Sequence, residues 1–529
     1  MNRLKIEVKK RGPNNSRPAK FGINRFMKGC SSMSRRIRTM FYLMLVAFTL
    51  GGCTSNTNLN TAPPITSENN ENDIFQQPPV ELKYYYLGSP QADLALVQDE
   101  MNKILLEKIN ATIKLQPLDW SNYGTKLNVM IGGGEKFDLL FVAPWVGNYF
   151  QNISKGALLP LDELLDHYAP QLKASVPEIV WDATRVDGKI YGSINYQIMA
   201  IAYGVGVQKE LAEKYNFDAA AIKKVEDMEP FLEQIKQNES DIYPLFNMPT
   251  LINQPTYYGF DSIGDDSIPG WVRLSDANLE VINQYATEEY KQAVTLARSW
   301  YNKGYAKKDV QSDLGLETGK FAVKFNLPIK PGVEVEEQGL WGGRPIVVKA
   351  LNEPMITTNR AIATMTAISK TSSNPERAMM FLELINTDKE LYNLLANGIE
   401  GKHYTKATEE VIEPIAGSGY EPRSDWMFGN QFNGYYLSPE LVGIWEETKK
   451  VNENADYSPM IGFSFDPELV KTEIAQVTTV IQQYDGPLSA GIGDTEKLLP
   501  EFLEKLDKAG VNKILEEKQK QLQAWKAAQ

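Results

Sequence analysis

The chain is nearly devoid of the residues on which thiol and imidazole chemistry depends. Among 529 residues there are two cysteines, Cys30 and Cys53, and two histidines, His167 and His403. Both cysteines sit near the N-terminus, so the body of the protein has no disulfide and no thiolate metal site. Two histidines argue against Ser-His, Cys-His and histidine-rich metal chemistry, and no cofactor or metal is expected. Long apolar runs are also scarce. The uncharged run Thr39–Leu50 has 12 residues, well short of the roughly 20 that a membrane span needs. Positive charge is in deficit too. Residues 1–52 hold twelve of the 55 Lys and Arg but one of the 67 Asp and Glu, which leaves 43 basic and 66 acidic groups beyond them, a net charge of −23. Such a surface repels nucleic acid and anionic headgroups, so neither is an expected primary partner.

Arg35, Arg36 and Arg38 precede the apolar run, and Leu50-Gly51-Gly52-Cys53 ends it. This order of charge, apolar core and small residues is that of a secretory signal. A cysteine directly after the small residues resembles the lipobox of bacterial lipoproteins. That resemblance implies removal of residues 1–52 and a diacylglycerol on Cys53, whose two chains suffice for stable anchoring in the lipid bilayer. Met33 begins a signal of ordinary length, and translation is expected to start there. Residues 53–80, rich in Asn, Thr, Ser and Pro, bury too little apolar surface to order themselves and read as a disordered tether.

From Glu81 the pattern alternates. Glu81–Leu87, Thr112–Leu115 and Phe137–Val142 read as strands. Helices are expected from Ser89-Pro90 to Asn110, over Tyr123–Ile131 and from near Trp145. Strands alternating with helices predict a parallel α/β sheet, whose ligands lie beyond the carboxyl ends of the strands. Ile198–Val207 continues the pattern, and helices are expected at 209–215, 225–238, 288–302 and from Pro375. Residues 328–354, dense in Gly and Pro, read as loops, with the Glu-rich 334–337 solvated. Asp494–Trp525 reads as helix. Gly132-Gly133-Gly134 reads as a helix-ending turn, Asp138 as a backbone or interlobe partner, and Asp261, Asp265 and Asp266 lack EF-hand spacing.

Five stretches, GGGEKFDLLFVAPW (132–145), KGALLPLDELL (155–165), VDGKIYGSINYQ (186–197), the segment 372–404 and WMFGNQFN (426–433), together resemble the extracellular solute-binding lipoproteins of ABC importers. The likeness is to the large sugar-type subgroup with an extra C-terminal domain of unknown function. The resemblance implies a two-lobed clamshell, each lobe a sheet flanked by helices, that closes on its ligand and is read by ABC permease subunits. It implies a monomer, with 81–194 plus 358–402 as the first lobe and 195–357 plus 403–529 as the second. Crossings are expected at Ile194–Tyr196, at Met355–Thr358 and shortly after Tyr404.

A sugar offers a flat C–H face to aromatic rings and a rim of hydroxyls to Asp, Asn, Glu or Arg. Trp145 follows the strand 137–142 at the ligand-facing end, and Tyr86 and Ser89 end the first strand, Ser89 doubling as a helix cap. Asn195 and Tyr196 fall at the first crossing, and Trp271 in a turn-rich segment of the second lobe. Trp426 and Asn430 complete the expected ligand-binding set, in a run of ring, glycine and amides that suits a sugar. The expected function is capture of a carbohydrate, in particular an oligosaccharide, without catalysis. A secreted glycoside hydrolase, a peptide or other solute receptor, and a surface sensor remain open alternatives.

Overall fold

The computed structural model describes residues 71–147, 149–307 and 315–529. The signal region, Cys53 and tether residues up to 70 lie outside the described residues. The tether was expected to run to residue 80, but order begins earlier. Asn110, in the left-handed conformation that ends the helix Leu94–Ile109, donates its side-chain amide to Ile74 O at 2.7 Å and Gln77 O at 2.8 Å.

The first sheet runs Ala111–Leu118, Val80–Leu87, Leu139–Val142, Met365–Ile368, Ser193–Ile194. Val80–Leu87 is parallel to both neighbours, and the last two pairings are antiparallel. Leu82, Tyr84 and Tyr86 alternate into the core against Val97, Met101 and Leu105 of the flanking helix. Asp138 accepts from Lys83 N at 2.9 Å and from Ser372 Oγ at 2.6 Å, a backbone clamp on the central strands. The helix expected from Ser89-Pro90 starts instead at Leu94. Residues 91–93 are held out of it: Asp93 N bonds Gly419 O at 3.0 Å, and the Gln91 side chain accepts from Glu421 N at 2.8 Å.

The second sheet, Ile346–Ala350, Ala202–Gln208, Phe321–Ile329, Tyr243–Leu245, packs on Leu232, Ile235 and Trp300. The expectation of loops over 328–354 is corrected here. Glycines 332, 342 and 343, all at positive φ, mark tight turns between the strand ending at Ile329, the helix Val333–Leu340 and the strand Ile346–Ala350. Glu337 is not solvated; it is buried between Lys324 Nζ at 2.8 Å and Trp341 Nε1 at 3.0 Å.

A third core joins residues 251–294 to 460–522. Trp271 lies at its centre with no exposed surface, among Phe260, Tyr285, Phe502 and Ile514. The C-terminal helices Lys471–Ser489, Thr495–Lys508 and Val511–Ala528 thus complete a core whose other half is an insertion in the second lobe. The helix Glu288–Lys303 gives Tyr290 and Val294 to this core and Ala297 and Trp300 to the second lobe's.

The chain leaves the first sheet at Ile194 and enters the second at Ala202, returning between Ala350 and Met365. The third passage was expected just after Tyr404. Residues 420–432 instead remain on the first core through Tyr420, Met427, Phe428 and Phe432, and the chain passes over at Asp456–Tyr457, paired in parallel with Met355–Ile356.

Candidate functional site

Three tryptophans meet where the strands of the first sheet end. Trp120 follows Ala111–Leu118, and Trp145 follows Leu139–Val142. Trp426 comes from the one-turn helix Asp425–Met427. Their ring centroids form a near-equilateral triangle, with separations of 6.3, 6.1 and 6.2 Å, and Trp120 and Trp145 lie within 14° of parallel. Large rings normally bury themselves. Here Trp120 is 47 % and Trp145 51 % exposed. Phe141 supports them from below, 5.9 Å from Trp145 and 6.4 Å from Trp426.

Each ring is fixed by local chemistry. Asp119 accepts from Ser121 N at 2.9 Å and Ser121 Oγ at 2.5 Å, holding the turn that presents Trp120. Trp145 Nε1 donates to Ala363 O at 2.7 Å. The turn of Trp426 is tied by Tyr392 OH to Asp425 O at 2.9 Å and by Asn195 Nδ2 to Met427 O at 2.6 Å.

Trp145 and Trp426, both named from the sequence, therefore come together in one ring cluster, with Trp120 as the third ring that sequence reading missed. The other expected residues fall elsewhere. Asn195 is buried and orients the Trp426 turn rather than facing a ligand. Tyr196 is buried against Phe432, with centroids 5.0 Å apart. Tyr86 packs inside the first core against Tyr84 and Phe428. Asn430 caps its own turn by accepting from Phe432 N at 3.1 Å. Ser89 is exposed beyond the first strand, its carbonyl taking Gln91 Nε2 at 3.1 Å. Trp271, expected on an exposed loop, is in the strand Trp271–Arg273 and fully buried.

Across the crossings lies a cavity of about 30 Å³, lined by the apolar Ile201, Pro255 and Met355 and by polar groups that include Tyr203, Thr256, Ser262, Asp266, Asn359 and Arg360. Arg360 belongs to the short helix Thr358–Ala361, whose cap is the Thr357 hydroxyl. The same stretch supplies Ala363 O to Trp145 and Thr364 Oγ1 to Gln197 at 2.9 Å. Arg360 Nε and Thr256 Oγ1 are buried without a hydrogen-bond partner. Burial pushes the Asp266 carboxyl up to about 6, aided by Asp265 and Asp261 and opposed by Ser262 and Arg360. Burial likewise lowers the Arg360 guanidinium, against Tyr203 and Asp266. Behind this loop Lys518 is fully buried, donates to Gly270 O at 3.1 Å, and is held down to about 8 by burial.

Two α/β lobes joined by three chain passages, with an open aromatic platform at the end of one sheet and a small cavity at the passages, define a two-lobed solute-binding protein. Residues 88–391 match the bacterial extracellular solute-binding protein family, and the chain belongs to it. Residues 459–527 match a domain of unknown function, DUF3502. A carbohydrate ABC transporter substrate-binding protein of Streptococcus pneumoniae serotype 4 is 29 % identical over 449 residues, 83 % of this chain and 90 % of that protein. The crystal structure of the N-glycan transport solute-binding protein NgtS from S. pneumoniae matches with a TM-score of 0.75 at 28 % identity, over 84 % of this chain and 98 % of that one. The same protein in complex with Man5GlcNAc matches at 0.66 and 28 %, with the same coverage. No helix among the described residues is long and apolar enough to cross a membrane.

Proposed function

We propose that this protein captures a carbohydrate, specifically an oligosaccharide, outside the cell and delivers it unchanged to the permease of an ABC transporter. The triangle of the exposed Trp120 and Trp145 with the half-buried Trp426 carries this reading, because flat apolar rings open to solvent match the C–H faces of successive sugar residues. The complexes of the S. pneumoniae N-glycan transport protein with Man1GlcNAc and Man5GlcNAc support the same class. Closure follows from a ligand's higher affinity for the closed form, so contacts from both lobes are required. Lipidation of Cys53 would hold the receptor at the membrane surface as a monomer on its tether.

The test is a thermal-shift and calorimetric screen over mono- and oligosaccharides, with the recovered sugar examined by mass spectrometry. Saturable binding of an oligosaccharide recovered intact is the expected result. Cleavage products, or binding of peptides alone, would overturn the proposal. For the anchor, Cys53→Ala should abolish labelling by radioactive palmitate and release the protein into the medium.

A further inference from the structure

The cavity at the crossings is built unlike a structural ion pair. Arg360 and Asp266 face one cavity, yet no carboxylate lies within ion-pair distance of Arg360 among the described residues. Arg360 and Thr256 are half-buried, but the Arg360 Nε–H and the Thr256 hydroxyl oxygen are themselves buried and unpartnered, and so present unmet hydrogen-bonding capacity. The space of about 30 Å³ holds about two water-sized groups, at roughly 10–15 Å³ each. Its walls come from different parts of the chain. Tyr203 stands at the entry to the second sheet, Arg360 on the return passage, and Asp266 on the loop braced by the C-terminal helix.

The charged groups around it are two cations and three carboxylates, not a positive cluster. Arg360 and Lys518 stand against Asp261, Asp265 and Asp266, and all three carboxylates act on Lys518. An anionic group entering here meets more carboxylates than cations, whereas a vicinal diol satisfies both signs, accepting from the guanidinium and donating to the carboxylate.

We infer that this cavity receives a pair of hydroxyls from an uncharged sugar residue, Arg360 donating and Asp266 accepting, and so selects neutral over carboxylated glycans. The inference rests on the carbohydrate reading above, and the bracing of the Asp266 loop gives the C-terminal domain a part in recognition. Lys518 acts there as a positioning residue. It touches the loop at both ends: its Nζ reaches Gly270 O, and it is so close to Gly264 that a Cβ added there would lie 3.7 Å from that nitrogen.

The experiment uses the full chain and titration calorimetry. A panel of neutral oligosaccharides that includes Man5GlcNAc is screened first. The tightest binder is then compared with its own derivative in which primary alcohols have been oxidised to carboxylates. Wild type should bind the oxidised probe at least tenfold more weakly than the neutral one. Arg360→Gln and Asp266→Asn should each weaken the neutral probe at least tenfold with the unliganded melting point kept or raised. Asp266→Asn should also recover part of the affinity for the oxidised probe, which a merely structural role would not produce. Arg360→Lys, which keeps the charge and a donor, should restore part of what Arg360→Gln loses and serves if that variant fails to fold. Wild-type binding with both substitutions silent, or an oxidised probe bound as tightly as the neutral one, overturns this inference and leaves the carbohydrate reading standing. Failure of wild type to bind any neutral oligosaccharide removes both.

Discussion

Replacing Trp145 by alanine separates a binding ring from a core ring. A tryptophan carries roughly 200 Å² of surface, and half of it is exposed here, so about 100 Å² is available to a ligand. At about 25 cal/mol per Å² that contact is worth about 2.5 kcal/mol, a loss of roughly 60-fold in affinity. The other half packs on Phe141, and Nε1 bonds Ala363 O. Unliganded stability should therefore also fall by about 3.5 kcal/mol, counting about 1 kcal/mol for the hydrogen bond. Trp145→Phe separates the two effects. It keeps a ring but loses the Nε1 bond, so stability should drop by about 1 kcal/mol while affinity changes less than about fivefold. Calorimetry and chemical denaturation of the three proteins provide the numbers. If Trp145→Ala loses the full stability yet binds within about threefold of wild type, the ring belongs to the core and the platform reading is wrong.

Four further outcomes are expected. Asp266 has a folded pKa of about 6, raised from 3.8, so its favourable contribution is complete below its unfolded value and is lost as pH rises through 6; Asp266→Asn should leave stability unchanged at pH 3.5 and raise it by up to about 3 kcal/mol at pH 8, read by denaturant melts. Lys518 is lowered from 10.5 to about 8, so wild-type stability should gain from this group as pH climbs from 8 to 10.5; Lys518→Met should lack that rise and, after losing the Gly270 bond, stand about 2 kcal/mol ahead at pH 7. Asn195→Ala leaves Met427 O unpaired and should lower stability by about 1–3 kcal/mol while loosening the Trp426 turn, seen as weaker binding and altered tryptophan fluorescence. Deleting 459–529 uncovers Trp271, Phe260 and Tyr285 and should give insoluble protein, whereas a soluble, cooperatively folded product would contradict the shared third core.

The strands of the first sheet were legible because buried parallel strands are short apolar runs, as Leu139–Val142 is. The place of Trp145 just beyond a strand end was legible too, and the rule that ligands lie there drew attention to it. The same rule would have found Trp120, had Ala111–Leu118 been read to its full length. Pro117 does not end it, because this is an edge strand, where a missing N–H need not interrupt the ladder. Trp271 misled because Asp and Pro before it suggest an exposed turn, whereas pairing with Val281–Ile282 buries it in a small sheet. Lys518 did carry a signal, a lysine set between Ile514 and Leu522 in the buried stripe of the last helix. Arg360 and Asp266 lie about a hundred residues apart on loops, and no local spacing brings them together; only the chain passages do.

The most direct measurement is a crystal structure of the protein with a neutral oligosaccharide bound. An intact sugar lying in van der Waals contact with Trp120, Trp145 and Trp426, with the two lobes drawn together over it, is the outcome expected. A sugar bound away from all three rings, or hydrolysed in the crystal, would contradict it.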